Sequence, residues 1–278
     1  MQLKLKKFDI SSITCDKIVL FLASRGSGKS VCVKDLMYYH RDVPIGAVIS
    51  PTEKKNTYYS HFIPSLFIHD EYSPELIQNI LKRQSKVMNA RNKEIAMYGK
   101  SNIDPRVFLI LDDCMHDETW KKDKNMHYIF NNGRHDKILM IFTLQYIIGV
   151  SPSMRSNIDY VFIFRENNYQ NRKKLYDMYC GVFPTFDMFC KVMDIVTEGF
   201  GCLVINLRSR SNKLEDIVFW YEADVRDNFT VGSREMWQAH NQLATPDEEE
   251  EEEELYTLDG YLAKNKAKNK YPINIRKI

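Results

Sequence analysis

Seven short runs of apolar residues recur along the chain, and none of them alternates with polar positions. Each run is rich in Ile, Val, Leu and Phe and is bounded by polar or turn-forming residues. Strands that are buried on both faces of a parallel sheet have this composition, whereas half-buried strands alternate. The pattern predicts strands at 17–23, 45–50, 107–111, 138–143, 160–164, 202–206 and 217–221.

Helical stretches lie between most of these runs. The longest opens with Ser73-Pro74, a capping residue followed by proline at the first helical position. Strands that alternate with helices predict an α/β fold with a mostly parallel central sheet flanked by helices. The predicted helices are 29–40, 73–97, 125–132, 171–180 and 185–196.

Composition narrows the class of protein. The chain has 278 residues, of which 44% are hydrophobic and 27% charged, as in ordinary globular domains. Its longest apolar-rich segment, 138–150, is too short to cross a bilayer, so we expect no membrane span. The six cysteines form no C-x-x-C pair, so we expect reduced thiols and no zinc site.

Charge divides the chain further. Residues 247–254 are eight consecutive acidic residues, and basic residues dominate after them. Like charges with nothing apolar to bury do not fold. We therefore predict a folded domain over 1–244, an acidic disordered linker over 245–254 and a basic tail over 255–278. The acidic run and the tail are either simply solvated, or they act as an autoinhibitory mimic of nucleic-acid phosphate or as a docking tail for a partner.

The first predicted strand runs into a segment with the spacing of a phosphate loop. It follows G-x-x-x-x-G-K-[ST], with Ala23 at the first glycine position. Glycines let successive N–H groups turn toward phosphate oxygens, and the next helix directs its positive end at the same anion. Lys29 would bridge the β- and γ-phosphates of ATP, and the Ser30 hydroxyl would bind Mg²⁺. The predicted nucleotide-binding residues are Ser24, Arg25, Gly26, Ser27, Gly28, Lys29 and Ser30.

An acidic pair and a glutamine follow two later strands. Asp112 and Asp113 come directly after the strand 107–111. In P-loop NTPases the first such carboxylate holds Mg²⁺ through water, and the second polarises the attacking water in the hydrolytic branch. Gln145 follows the strand 138–143 and could hydrogen-bond that water or the γ-phosphate. The simpler interpretations are an Asp-rich turn and a surface glutamine.

Three arginines could stabilise charge on the transferred phosphoryl group, in cis or from a neighbouring subunit. In order of preference they are Arg134, Arg155 and Arg25, although each could equally be a surface or ion-pair arginine. Two basic loops, 121–124 and 208–210, could contact nucleic-acid phosphates.

The ordered set of motifs resembles the DNA-packaging ATPases of large nucleocytoplasmic DNA viruses, the poxvirus-type branch of the FtsK–HerA group. The likeness covers residues 14–225. It departs at Ala23 and at Leu144, which interrupts a more usual Thr/Ser-Gln. The matching segments are the phosphate loop 23–30, the strand-then-proline 48–51, Asp112-Asp113, Asn132-Gly133-Arg134-His135 before a strand ending at Gln145, and 154–160. The form of the loop around Arg25 is also similar to phage packaging motors, in which such an arginine acts in cis.

The resemblance implies a RecA-like P-loop NTPase with an additional strand between the two phosphate-site strands. It also implies a homo-oligomeric ring of five or six subunits that hydrolyses ATP with Mg²⁺. The ring would move double-stranded DNA into a preformed capsid, through a capsid or portal protein, in the cytoplasm of an infected cell.

Three alternative functions remain from the residues alone. They are a cellular-type FtsK–HerA DNA translocase, a small-molecule kinase and a slow nucleotide-gated assembly scaffold. The scaffold stays open because Asp113 stands where many hydrolytic enzymes have Glu. A GTPase is disfavoured because the nearest string to N-K-x-D, at 212–215, ends in Glu.

Overall fold

The polar and turn-forming residues between the apolar runs separate the strands of one sheet. A computed structural model describes residues 4–114, 119–145 and 150–243. Within these ranges the strands, in chain order, are β1 (Ile18–Leu22), β2 (Gly46–Ile49), β3 (Ile68–His69), β4 (Val107–Leu111), β5 (Ile138–Leu144), β6 (Tyr160–Ile163), β7 (Cys202–Asn206) and β8 (Val218–Tyr221).

The spatial order of the strands is β3-β2-β4-β5-β1-β6-β7-β8. The first six strands in this order are mutually parallel, whereas β7 runs antiparallel to both β6 and β8. The mostly parallel α/β sheet is therefore confirmed. β5 lies between β1 and β4, which is the additional strand that the hydrolytic branch requires.

Helices cover both faces of the sheet. They are α1 (Lys29–Tyr39), α2 (Glu53–Asn56), α3 (Pro74–Tyr98), α4 (Lys124–Asn132), α5 (Pro152–Arg155), α6 (Tyr169–Tyr179), α7 (Phe186–Val196) and α8 (Arg234–Leu243). In β1, Val19 and Phe21 pack on one face of the sheet, in the core layer that contains α1 and α8. Leu20 packs on the other face, in the layer that contains α3, α4, α6 and α7. Burial on both faces explains why the strand sequences do not alternate.

Local sequence sets the helix ends. Ser73 Oγ accepts from Leu76 N at the start of α3, and Gly99, at a φ of 73°, ends it in the left-handed conformation. Asp123 and Thr185 cap α4 and α7 in the same way as Ser73.

The sequence pattern missed four elements. β3, α2 and α5 contain only two to four residues each, too few to show a period. α8 is amphipathic, but only Met236 is fully buried.

The predicted linker 245–254 and tail 255–278 lie outside the described residues. Within the described ranges, no helix has the length and apolar character needed to cross a membrane. The six cysteines are all free thiols.

Parallel strands give the sheet two chemically distinct edges. We call the edge at which β1, β4 and β5 end the carboxyl edge, and the edge at which they begin the amino edge. The phosphate loop, the acidic pair and Gln145 all follow these strands, so the topology brings them together at the carboxyl edge.

Candidate nucleotide-binding site

The phosphate loop, residues 23–30, has a backbone that depends on its glycines. Gly26 and Gly28 adopt φ angles of 75° and 90°, a region that side chains disfavour. Ser27 Oγ donates to the Ser24 carbonyl at 2.7 Å. Ala23 N donates to the Leu144 carbonyl at 3.0 Å, so the loop begins still attached to β5. Helix α1 starts at Lys29 and directs its N-terminus at the loop.

Asp112 lies beside the loop in a nearly buried position, with 5% of its surface exposed. Its Oδ1 accepts a hydrogen bond from Thr143 Oγ1 at 2.6 Å, and Lys29 Nζ lies 3.8 Å from the same oxygen. The ammonium group is thus near the carboxylate but beyond hydrogen-bond distance. A neutral hydroxyl therefore orients the carboxylate, and the ammonium group makes only a long ion pair with it.

Asp113 and Gln145, two residues proposed from separate motifs, are in direct contact. Gln145 Nε2 donates to Asp113 Oδ2 at 2.5 Å. Asp113 N donates to Thr143 Oγ1 at 3.0 Å. The Asp113 backbone has a φ of 54°, which costs a non-glycine residue about 1 kcal/mol. This strained conformation holds the carboxylate where it meets the amide of Gln145.

Thr143 is a site residue that sequence reasoning missed. The sequence pattern predicts it within an apolar strand, and β5 is indeed buried along its whole length. Leu111 pairs with Phe142 in the sheet, so the next residues along the two strands, Asp112 and Thr143, lie side by side. A hydroxyl within an otherwise apolar, fully buried strand was the available clue, because a buried polar group needs a partner.

The residues fit Mg²⁺ bound jointly with a triphosphate. The Ser30 hydroxyl and the Asp112 carboxylate line one cavity, and both are oxygen donors of the kind that Mg²⁺ prefers. Mg²⁺ usually takes one or two protein ligands and fills the rest of its octahedron with phosphate oxygens and water. Two protein oxygens next to a phosphate loop match that habit.

The cavity at the carboxyl edge has a volume of about 470 Å³. Burial, followed by the charge of Asp112, raises the pKa of Tyr58 above its usual value, so this phenol is a neutral donor.

A larger groove of about 760 Å³ lies between α7 and β8, away from the phosphate loop. The lining of the nucleotide cavity beyond the predicted residues is Val31, Thr52, Asn56, Tyr58 and Phe200.

Of the three predicted arginines, only Arg25 lines this cavity, where it is exposed. Arg134 precedes β5 and Arg155 precedes β6, so both belong to the amino edge. Arg155 stacks over the Tyr179 ring, with 5.9 Å from its guanidinium carbon to the ring centroid. The structure therefore does not bring Arg134 or Arg155 together with the phosphate loop of their own chain, because they lie at the opposite edge of the sheet.

Arg134 instead belongs to what we call the Asp159 cluster, which consists of Ile18 N–H, Arg134, Asp159 and Arg208. Asp159 is buried, and its Oδ2 accepts from Ile18 N at 2.8 Å. Its Oδ1 accepts from Arg134 Nη2 at 3.0 Å and from Arg208 Nε at 2.8 Å. Arg208, which the sequence predicts to contact DNA in the loop 208–210, donates its Nε hydrogen to this carboxylate and is partly exposed.

The two predicted DNA loops lie at opposite edges. Residues 121–124 lie between the carboxyl end of β4 and the start of α4, whereas 208–210 follow the end of the antiparallel strand β7, at the amino edge. Lys122 and Lys124 are exposed, and Asp123 between them caps α4. Only 121–124 therefore shares an edge with the phosphate loop.

Comparison with known families identifies the family to which this chain belongs. The family model described as Poxvirus A32 protein matches residues 5–184. The chain belongs to this family. The matched segment contains the phosphate loop, Asp112, Asp113, Gln145 and both amino-edge arginines, and it ends before α7. The resemblance to poxvirus-type packaging ATPases is confirmed at the level of the family.

Relatives occur in several large DNA viruses. Protein L437 of Acanthamoeba polyphaga mimivirus is 38% identical over 245 residues, which are 88% of this chain and 85% of the relative. Protein 088R of Invertebrate iridescent virus 3 is 41% identical over 207 residues, covering 74% of this chain and 75% of the relative.

Solved structures share the fold. The genome packaging NTPase B204 of Sulfolobus turreted icosahedral virus 2, in complex with AMP, has a TM-score of 0.52 at 11% identity. That match covers 76% of this chain and 100% of B204. The pCW3 conjugation coupling protein TcpA, with ATPγS, has a TM-score of 0.53 at 13% identity, covering 79% of this chain and 62% of TcpA. At these identities the likeness concerns the fold, and it confirms the RecA-like P-loop class.

Proposed function

We propose that this protein is an ATP-hydrolysing motor that moves double-stranded viral DNA into a capsid. The observation that carries the proposal is the contact of Asp113 with Gln145, next to a phosphate loop, in a chain of the poxvirus A32 family. A site that only bound a nucleotide would need the loop but not a second carboxylate held in a strained backbone.

Hydrolysis requires a group that accepts a proton from the attacking water. Gln145 occupies Oδ2 of Asp113, so Oδ1 is the oxygen that would accept this proton. Gln145 also fixes the orientation of the carboxylate before the substrate arrives, which avoids reorganisation during the reaction. Asp113 is thus the catalytic base. Gln145, which donates to it, would also hydrogen-bond the attacking water or the γ-phosphate.

Phosphate binding would draw Lys29 away from Asp112. In this structure its ammonium group is 3.8 Å from the carboxylate, a distance that leaves it able to turn toward the β- and γ-phosphates. Ser30 and Asp112 would hold Mg²⁺, which supplies positive charge to the phosphate oxygens when bound. Thr143 keeps Asp112 in place while Lys29 changes partner.

The arginines support a ring. Arg25 is the one predicted arginine that could act within its own chain, because it lines the cavity. Arg134 and Arg155 could reach a nucleotide only on a neighbouring copy, which would make hydrolysis depend on assembly of a ring of five or six subunits. The loop 121–124 is the basic surface that shares the carboxyl edge with the phosphate loop, and we assign DNA phosphate contacts to it.

Family membership supports a viral setting for this motor. The relatives named above are viral proteins, and B204 is described as a genome packaging NTPase. We therefore place this motor in the cytoplasm of an infected cell, where it would act with a capsid or portal protein.

Displacement of a triplex-forming strand from long double-stranded DNA tests translocation directly. We expect ATP-dependent displacement by the full chain and none by Lys29→Ala. Lys34→Ala, five residues further along α1 and paired with the exposed Asp227, is the matched control and should behave like the wild type. Hydrolysis without displacement would favour a slow scaffold. Phosphoryl transfer to a small molecule would favour a kinase, and either result would overturn the motor.

A further inference from the structure

Phe200 is an exposed aromatic residue beside the phosphate loop that none of the nucleotide motifs explains. Its side chain is 64% exposed. Its Cδ1 nevertheless lies 3.3 Å from the point that a Cβ on Gly28 would occupy. The ring therefore rests against the loop backbone on one side and is open on the other. It also lines the same cavity as Lys29 and Asp113.

The turn that carries Phe200 is tightly built. Thr197 is buried, and its Oγ1 donates to the Met193 carbonyl at 2.7 Å. Gly199 has a φ of 62°, and Gly201 N donates to the Glu198 carbonyl at 3.2 Å. A Cβ on Gly201 would lie 2.3 Å from the Val196 carbonyl oxygen, so the turn closes only with glycine there. A rigid turn thus holds an apolar ring in solvent at the mouth of a polar cavity.

Strand order shows which end of a nucleotide faces this ring. Asp113 and Gln145 follow β4 and β5, which lie on one side of β1. These residues and Lys29 define where the γ-phosphate sits. Phe200 precedes β7, on the other side of β1, and β7 begins at the carboxyl edge because it is antiparallel to β6. A nucleotide bound with its γ-phosphate at Asp113 would therefore extend its nucleoside toward Phe200.

We propose that Phe200 is the stacking surface for the base of the bound nucleotide. An exposed aromatic face is a poor solvent contact but a good partner for a planar base. Stacking does not distinguish one purine from another, so ATP and GTP should depend on Phe200 alike. The inference builds on the proposed function only in requiring that a nucleotide occupies the phosphate loop.

Equilibrium binding of two ligands tests the proposal. ATP contains the base, and inorganic tripolyphosphate contains only the phosphate chain. In Phe200→Ala we expect the Kd for ATP to rise about 10-fold and the Kd for tripolyphosphate to stay within about twofold. Phe200→Tyr should restore ATP affinity, because it keeps the ring. In steady state, KM for ATP should rise with little change in kcat.

Tyr98→Ala is the matched control, because Tyr98 is 74% exposed at the far end of α3 and does not line the cavity. Unchanged ATP affinity in Phe200→Ala would overturn the proposal. Equal weakening of ATP and tripolyphosphate would also overturn it, since the ring would then support only the loop. If the wild-type chain shows no DNA-stimulated hydrolysis while this binding pattern holds, the motor is contradicted and the base contact stands.

Discussion

The carboxylates at the two edges of the sheet have different kinds of partner. At the carboxyl edge, neutral groups donate the hydrogen bonds to Asp112 and Asp113, namely the hydroxyl of Thr143 and the amide of Gln145. The one cation beside them among the described residues, Lys29, lies 3.8 Å from Asp112 Oδ1, beyond hydrogen-bond distance. At the amino edge, Asp159 is bound directly by two arginines and a backbone N–H. The first arrangement fixes geometry and leaves the charge available, whereas the second neutralises the charge.

This difference separates a reactive site from a structural one. A carboxylate that must attract Mg²⁺ or take a proton from water cannot already be paired with arginine, because an adjacent guanidinium stabilises the charged form. A buried carboxylate that only joins strands needs such a pair to offset its desolvation. The same residue type therefore serves chemistry at one edge and the joining of β1, β6 and β7 at the other.

The largest expected effect concerns an amino-edge arginine of one subunit acting at the carboxyl edge of its neighbour. If Arg134 acts on the nucleotide of a neighbouring subunit, Lys29→Ala and Arg134→Ala should each lower hydrolysis by about 10³-fold. Mixed before assembly, the two variants should recover measurable activity, because a wild-type phosphate loop can then meet a wild-type arginine. Mixed rings as inactive as each parent would contradict a role in trans. The same mixing with Arg155→Ala identifies which arginine acts.

Asp113→Asn tests the carboxyl edge alone. We expect hydrolysis to fall by about 10²-fold to 10³-fold, since an amide cannot accept the proton from water. Binding of ATP and thermal stability should be retained, because Asn tolerates the left-handed backbone at this position. Isothermal titration and steady-state hydrolysis measure the two quantities separately. A variant that hydrolyses at the wild-type rate would remove Asp113 from the mechanism.

Much of this could be foreseen from sequence. The apolar runs predict every strand except the two-residue β3. The phosphate loop, the acidic pair and Gln145 meet because each follows a parallel strand. Arg134 could have been placed correctly by the same rule, since a residue that precedes a parallel strand lies at the opposite edge. Thr143 required the register of β4 against β5, and Phe200 required the path of the antiparallel strand β7. Both depend on pairing between distant segments, which periodicity does not reveal.

His40, at the amino-edge end of α1, gives stability a dependence on pH. Burial lowers the pKa of His40 to about 4 from its ordinary 6.5. Below pH 6.5 the unfolded chain therefore binds a proton that the folded chain refuses, and stability falls as the pH drops toward 4. The full loss is up to about 3 kcal/mol. Denaturant unfolding at pH 7 and pH 4.5 should show a smaller difference in His40→Gln than in the wild type. An identical difference would contradict this assignment.

Asp159→Asn is the counterpart of Asp113→Asn at the amino edge. Both arginines are partly exposed, so we expect a loss of about 2 kcal/mol in the free energy of unfolding rather than the larger cost of a fully buried pair. The affinity of the folded protein for ATP should not change. Denaturant titration gives the first quantity, and nucleotide binding well below the unfolding midpoint gives the second. Weakened ATP binding without loss of stability would mean that the amino edge is not structural.

We infer above all that the carboxyl edge hydrolyses ATP in a manner coupled to DNA. Steady-state phosphate release by the purified full chain, with and without long double-stranded DNA, tests it most directly when Lys29→Ala and Lys34→Ala are measured alongside. We expect hydrolysis that DNA stimulates, that Lys29→Ala abolishes and that Lys34→Ala retains. Hydrolysis that ignores DNA, or that survives Lys29→Ala, would contradict it.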